Sequence, residues 1–222
     1  SIDCPITRVS AAPLEPRNAV GLIDADARPT LYVSNQKPYY IRAALAAWLG
    51  VPEEQVRVVA GDVGGSFGMK IGLHPEEALV VWAARRLGRP VRWVADRTES
   101  FLADEHGRDV HVKAALGIDA ESRFTALKAR FRINVGAYLS VKSLGMFGNV
   151  GGIAGVYRIG AVAAEIEGAL TNTQPTAPYR GAGRPEATYT IERLIDLAAR
   201  KIGMDPFELR RRNLVPPEAM PY

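Results

Sequence analysis

Apolar and polar positions alternate most regularly between residues 109 and 135. Val110, Val112, Ala114, Leu116 and Ile118 share one side, and Asp109, His111 and Lys113 share the other. After the turn Asp119-Ala120-Glu121-Ser122, the residues Leu127, Ala129, Phe131, Ile133 and Val135 return on the apolar side, opposite Lys128, Arg130, Arg132 and Asn134. A period of two with one polar face predicts an antiparallel sheet wetted on one side. Val162, Ala164 and Ile166, set against Glu165 and Glu167, are expected to continue that sheet. Shorter strands are predicted at Leu31–Ser34, Gln55–Ala60 and Val91–Val94.

Helical spacing interrupts these runs. From Pro38, the residues Ile41, Leu45 and Trp48 fall on one predicted face, and Gly50 ends the helix. A second helix begins at Pro75, with Glu76 and Glu77 in its first turn and Arg85 and Arg86 in its last, an order that complements the helix dipole before Gly88 stops it. Ala187, Ile191, Leu194, Ile195, Ala198 and Ile202 form a third stripe closed by Gly203, and Asp205 is placed to cap a shorter helix through Asn213. Arg210-Arg211-Arg212 reads as a solvated helix end. Residues 1–16 are proline-rich and read as extended. Ser143 to Gly155, which holds Gly145, Gly148, Gly151, Gly152 and Gly155, reads as a flexible loop ordered against a partner or ligand. Hairpins mixed with helices define an α+β class: a mixed, largely antiparallel sheet with packed helices and a candidate subdivision near residue 104.

The chain has 222 residues, enough for one large domain or two small ones. With 47% hydrophobic and 23% charged residues it has the composition of a globular protein. The net charge of +4 is mild, and the basic residues carry neither aromatic interleaving nor a nucleic-acid motif, so no nucleic-acid partner is expected. Cys4 is the one cysteine, which excludes an internal disulfide and a cysteine-built zinc site. His74, His106 and His111 are too scattered to predict a metal cluster. No apolar run approaches the roughly 20 residues of a membrane span, and no signal-peptide pattern is visible. The expected location is cytoplasmic, with no membrane partner. A start at Ser1 and a stop at Pro221-Tyr222 suggest an excised piece or a processed subunit of a longer polypeptide.

Candidate chemistry concentrates in two glycine-rich loops. Pro178-Tyr179-Arg180-Gly181-Ala182-Gly183-Arg184-Pro185-Glu186 opens onto the third helix and places a guanidinium beside bare amides at a helix entrance, a setting suited to an anionic ligand. Gly61-Asp62-Val63-Gly64-Gly65-Ser66-Phe67-Gly68-Met69-Lys70 also lies between a strand and a helix. It lacks the lysine-hydroxyl ending of a phosphate-binding P-loop, because Ile71 follows Lys70, and its glycines have the wrong spacing for a dinucleotide fingerprint. A tight strand-to-helix turn is the plain alternative. Four glycines around Phe67 exceed what such a turn needs.

These two loops, together with Gly203-Met204-Asp205-Pro206-Phe207-Glu208-Leu209-Arg210-Arg211-Arg212-Asn213 and the N-terminal Ala12-Pro13-Leu14-Glu15-Pro16-Arg17, resemble the molybdenum hydroxylases. This is the xanthine dehydrogenase/aldehyde oxidase family, and the likeness is to molybdopterin-binding large subunits of the carbon monoxide dehydrogenase type. The resemblance implies that residues 1–222 form the first half of the cofactor-binding region. It implies hydroxylation of an aldehyde or N-heteroaromatic carbon with water-derived oxygen, at molybdenum held by a pyranopterin dithiolene, with the cytosine dinucleotide as a candidate form of the pterin. Implied partners are the remaining half of that region, iron–sulfur and FAD subunits or domains, and a small-molecule substrate, in an oligomeric complex.

Residue by residue, Gln36 matches a glutamine that hydrogen-bonds an oxygen ligand of the metal. Gly64, Gly65, Ser66, Phe67 and Gly68 match the loop approaching the metal's oxygen ligands and the pterin, with Phe67 as an apolar wall. Arg180 matches an arginine facing the substrate, followed by Gly181 in the cofactor loop. A surface polar residue and a structural ion pair are the plain alternatives for Gln36 and Arg180. The resemblance implies that Gln36, Phe67 and Arg180 converge around one chamber. Two departures narrow the chemistry. Carbon monoxide dehydrogenases carry a copper-binding cysteine where this chain has Gly181, so no copper is expected, and Ile71 replaces the glutamate of purine-oxidising members. The family's general-base glutamate lies downstream of the matched region, and Glu165, Glu167 and Glu186 do not take its place. The chain alone is expected to be inactive and to hold no cofactor. A non-catalytic binding or scaffold domain of the same fold is the rival reading, and a phosphate-binding nucleotide enzyme a third.

Overall fold

The computed structural model describes residues 1–140, 143 and 145–221. The fold is α+β, built on two mixed four-stranded sheets. The chain forms two compact units, Ser10–His106 and the combination of Ser1–Val9 with Gly107–Tyr222.

Strand β1 (Ile2–Ile6) opens the chain and belongs to the second of these units, so the expected extended start holds for these sheet-bound residues, whereas Ala12 has a φ of 39° and the chain bends at Leu14 and Glu15. The 10–106 unit follows. β2 (Asn18–Ile23) and β3 (Pro29–Val33) form an antiparallel hairpin, of which β2 carried no clear alternation in the sequence. Helix α1 (Pro38–Leu49) begins on proline and ends at Gly50, whose φ of 69° is the left-handed stop that glycine adopts without strain. Ile41 and Leu45 are buried as expected, joined by Ala46, whereas Trp48 is half exposed. A 3₁₀ turn (Glu53–Gln55) takes up the start of the expected 55–60 strand and leaves β4 as Arg57–Val59. Helix α2 (Pro75–Leu87) and β5 (Val91–Val94) match their sequence signals, and α3 (Arg97–Ala103), capped by the Asp96 carboxylate, had none.

The sheet order is β4-β3-β2-β5, with β3 and β4 parallel. α2 lies so close on β2 that a Cβ at Gly21 would stand 2.4 Å from the Val80 carbonyl carbon. Leu31, Ile41, Leu45 and Val81 close the core between them.

The chain then returns through β6 (Val110–Ile118) and β7 (Phe124–Gly136), the antiparallel hairpin read from the alternation. Leu127, Ala129, Phe131, Ile133 and Val135 are all buried. Beyond it, the expected flexible glycine loop is instead the short helix α4 (Gly145–Asn149) followed by a 3₁₀ turn (Val150–Gly152), with Leu144 outside the described residues. Met146, Val150 and Ile153 are buried and anchor it, and one apolar residue every three or four places overrides the low helix propensity of glycine.

Strand β8 (Ala161–Leu170) extends the sheet as expected but runs parallel to β7, giving the order β1-β6-β7-β8. Alternation carries no information about direction, and the long crossover through α4 sets it. As an edge strand β8 exposes Val162 and Ala164, which were expected to face inward.

α5 (Arg184–Ile202) packs Ile191, Leu194 and Ile195 on the sheet. Its stripe continues through buried Ala199, with Ala198 partly covered and Ile202 exposed. α6 (Pro206–Asn213) is capped by Asp205, whose carboxylate accepts from the N–H groups of Phe207 and Glu208. Arg210 is no solvated end: its guanidinium bonds Glu192 at 2.7 Å and Asp196 at 2.8 Å, tying α6 to α5. Arg211 and Arg212 both pair with Glu208.

Candidate functional site

In the 10–106 unit, the chain leaves β3 at Ser34 and reaches α1 through Asn35, Gln36 and Lys37. Asn35 fixes this passage, donating to the Gly72 carbonyl at 3.1 Å and accepting from the Lys37 N–H at 2.8 Å. The Gln36 N–H donates to the Lys70 carbonyl at 2.8 Å. Its side-chain carbonyl accepts from the Ser66 hydroxyl and, at 2.9 Å, from the Gly68 N–H. A backbone N–H can only donate, so the side-chain orientation is determined, and both carbonyl lone pairs are occupied. The amide NH₂ of exposed Gln36 therefore presents its donors away from the loop.

The loop it grips is backbone-constrained. Gly65, Phe67 and Gly68 have φ of 97°, 55° and 105°. An aromatic residue is rare in that region, costs about 1–3 kcal/mol there, and persists where surrounding contacts over-determine it. Ser66 supplies two of those contacts, because its Oγ also accepts from the Lys70 N–H at 2.9 Å. Phe67 stays 40% exposed.

Beneath the loop lies an ionic knot absent from the sequence reading. Lys70 is fully buried and donates to Glu15 Oε2 and to Ser34 Oγ, each at 2.9 Å. Glu15 also accepts from Ser34, from the Asn18 amide and from the Gly64 N–H at 2.8 Å. Burial pushes the Glu15 carboxyl up, but the bonds from Ser34, Lys70, Asn18 and Gly64 outweigh it and bring the pKa down to about 2. Burial pulls the Lys70 ammonium down, opposed by Glu15 and by the charges of Asp104 and Glu77. The amides of Gly64 and Gly68 are thus spent on Glu15 and Gln36. The Gly65 N–H makes no hydrogen bond among the described residues.

Nearby, buried Arg17 bonds Asp104 and Glu76 at 2.6 Å each and lies over Trp93, fixing the chain on the far side of Glu15.

In the other unit, Arg180 and Gly181 sit in the turn before α5. Gly181, Ala182 and Gly183 all have positive φ, of 99°, 43° and 97°. The Tyr179 carbonyl accepts from the Ala182 N–H at 2.8 Å and the Ala182 carbonyl from the Asn149 amide at 2.7 Å. Arg180 is exposed. Arg108, which no sequence pattern marked, touches this turn repeatedly, and buried Glu186 in the first turn of α5 pairs with it at 3.1 Å. Glu165 and Glu167 pair with Arg130 and Arg132, so all three carboxylates set aside in the sequence reading are ion-paired.

A cleft of about 780 Å³ in the same unit, lined by Arg123, Arg158, Arg211 and Arg212 beside Glu218, shares no residue with this turn.

The structure therefore joins Gln36 to Gly64, Gly65, Ser66, Phe67 and Gly68 in one unit and carries Arg180 with Gly181 in the other. The donor set of the first group, an amide NH₂ and a backbone N–H beside an aromatic face, suits an oxygen-rich planar ligand. Among the described residues no group of three His, Cys, Asp or Glu side chains could hold a metal ion, so a metal fits here only if it arrives with its own ligand.

The model of the molybdopterin cofactor-binding domain matches residues 2–214, and the chain belongs to that family. It is 38% identical over 217 residues to the 6-hydroxypseudooxynicotine dehydrogenase complex subunit gamma of Paenarthrobacter nicotinovorans, covering 97% of this chain and 27% of that protein. The nicotine 6-hydroxylase large subunit of the same organism is 37% identical, covering 94% and 26%. Among solved structures, quinoline 2-oxidoreductase from Pseudomonas putida 86 superposes with a TM-score of 0.94 at 41% identity, over 100% of this chain and 29% of that one. The chain spans about a quarter of the length of the curated relatives it matches.

Proposed function

We propose that this chain is the first part of the molybdopterin-binding region of a molybdenum hydroxylase acting on an N-heteroaromatic ring, with aldehydes as the second substrate class. The observation that carries the cofactor assignment is the Gln36 side chain, whose carbonyl is saturated by Ser66 and Gly68 so that its amide must donate outward beside the strained Phe67 loop. The preference for a ring substrate rests on the relatives, whose names specify nicotine, 6-hydroxypseudooxynicotine and quinoline.

When bound, the pterin supplies the molybdenum at which water-derived oxygen enters the substrate and two electrons are removed. Gln36 donates to an oxygen acceptor of the cofactor, and the Gly65 N–H offers a second donor. Phe67 presents an apolar face that excludes water and stacks against a flat substrate. Arg180 offers a fixed cation to negative charge developing on a ring nitrogen or oxygen. Partner subunits carrying iron–sulfur and flavin groups would take up those two electrons. The remaining cofactor-binding half supplies the general base, and the chain alone turns over no substrate.

Copper has no thiolate at position 181. The glycine there has φ of 99°, and an added Cβ would approach the Pro185 ring to 2.7 Å.

The test is to purify the complete protein with its partner subunits, measure molybdenum and pterin per chain, and assay quinoline, nicotine and an aromatic aldehyde with a dye acceptor. Near-stoichiometric molybdenum and turnover of at least one ring substrate are expected. A complex free of molybdenum would establish the scaffold reading instead.

A further inference from the structure

The residue that shapes the Arg180 turn is Arg108. Its segment is pressed against the turn: a Cβ on Gly107 would stand 2.2 Å from Tyr179 Cβ, and Arg108 and Asp109 both have φ of 64°. Two successive non-glycine residues in the left-handed region cost about 1–3 kcal/mol each, which neighbouring contacts must hold in place. Asp109 is held by the Arg8 guanidinium and the Asn134 amide, each at 2.8 Å.

From this strained position the Arg108 guanidinium reaches four parts of the turn. Nη1 donates to the Tyr179 carbonyl at 3.1 Å and to the Glu186 carboxylate at 3.1 and 3.2 Å. Nη2 donates to the Arg180 carbonyl at 2.9 Å, and the guanidinium carbon lies 4.9 Å from the centre of the Tyr179 ring. Arg108 is 11% exposed and Glu186 1%, so the pair is shielded and strong for its kind.

In a trans peptide the C=O and N–H point in opposite directions. Drawing the Arg180 carbonyl toward Arg108 therefore turns the Gly181 N–H away from it, and the same holds one peptide earlier. Glu186 anchors the far end of the arch to the first turn of α5.

We propose that Arg108 is a positioning residue for the cofactor or substrate: it sets the direction of the Arg180–Gly181 peptide and hence where the Arg180 side chain leaves the backbone. This rests on the functional reading above. A lysine at 108 keeps the charge but cannot serve two carbonyls, a carboxylate and an aromatic face with one planar fork.

The experiment uses the complete protein with Arg108→Lys and Arg108→Met. Three readouts are compared with the unmodified protein: hydrogen exchange at residues 178–186, molybdenum per chain, and kcat and KM on whichever ring substrate the unmodified complex oxidises. Arg108→Lys is expected to keep a near-normal melting temperature, to exchange faster in the 178–186 segment alone, and to lose about 10–100-fold in cofactor affinity or kcat. Added guanidinium ion should restore part of the loss in Arg108→Met if that variant folds, and the lysine variant decides the matter if it does not. Unchanged exchange in the lysine variant, or faster exchange with unchanged molybdenum content, kcat and KM, overturns the proposal. If the unmodified protein holds no molybdenum, the functional reading falls and the positioning role falls with it, while local exchange still reports whether Arg108 holds the turn.

Discussion

The carboxylate of Glu15 accepts from the buried ammonium of Lys70 at 2.9 Å, across 55 residues of sequence, and the same carboxylate oxygen accepts from the Gly64 N–H. One side chain thus fixes the glycine loop on either side of Phe67, at Gly64 and at Lys70. Glu15→Gln leaves Lys70 as a buried cation without its counter-charge. Because Glu15 is about a third exposed, the loss should be about 2 kcal/mol, below the 3–5 kcal/mol of a fully buried pair, read by chemical denaturation at neutral pH.

The pH dependence of that loss has a defined sign. The folded-state pKa of Glu15 lies below its ordinary 4.5, at about 2, so its stabilisation is complete above the ordinary value and is lost as pH falls toward 2. The melting-temperature gap between the unmodified protein and Glu15→Gln should narrow over that window. A gap that stays constant or widens on acidification would remove Glu15 from this role.

Phe67 combines a φ of 55° with an exposed ring. Glycine at this position relieves about 1–2 kcal/mol of left-handed strain and adds about 0.5–1 kcal/mol of unfolded-state entropy. Phe67→Gly should therefore leave stability within about 1 kcal/mol while, on the proposed function, lowering ring-substrate turnover of the complete protein by about tenfold or more. Equal turnover at equal stability would show that the ring touches no substrate.

Gly181→Cys tests whether the turn tolerates a side chain. Positive φ and the Pro185 ring at 2.7 Å predict a loss of about 1–3 kcal/mol, confined by hydrogen exchange to the start of α5, and no gain of copper by elemental analysis. Copper uptake with full stability would reverse the assignment at this position.

Phe131 is fully buried at the centre of the sheet that supports α5. Phe131→Ala should cost about 3–5 kcal/mol by chemical denaturation, and the molybdenum content of the complete protein should fall only as that unit unfolds. A variant that loses cofactor while its melting temperature is unchanged would place Phe131 nearer the chemistry than its burial indicates.

The chain's local features were legible because each is decided within about ten residues. Proline starts and glycine stops delimit α1 and α2, and the alternation of 110–135 is the β6–β7 hairpin. The two glycine loops were read the same way, as residue types at close spacing, whereas the role given to Gln36 came only from the family resemblance. Tertiary structure alone decided the direction of β8, the anchoring of α4 by buried Met146, and the partners of Glu15, Lys70 and Arg108. Those outcomes depend on which distant segments a closed chain brings together. A charge or an alternating strand looks the same in sequence whether it faces water or a partner dozens of residues away.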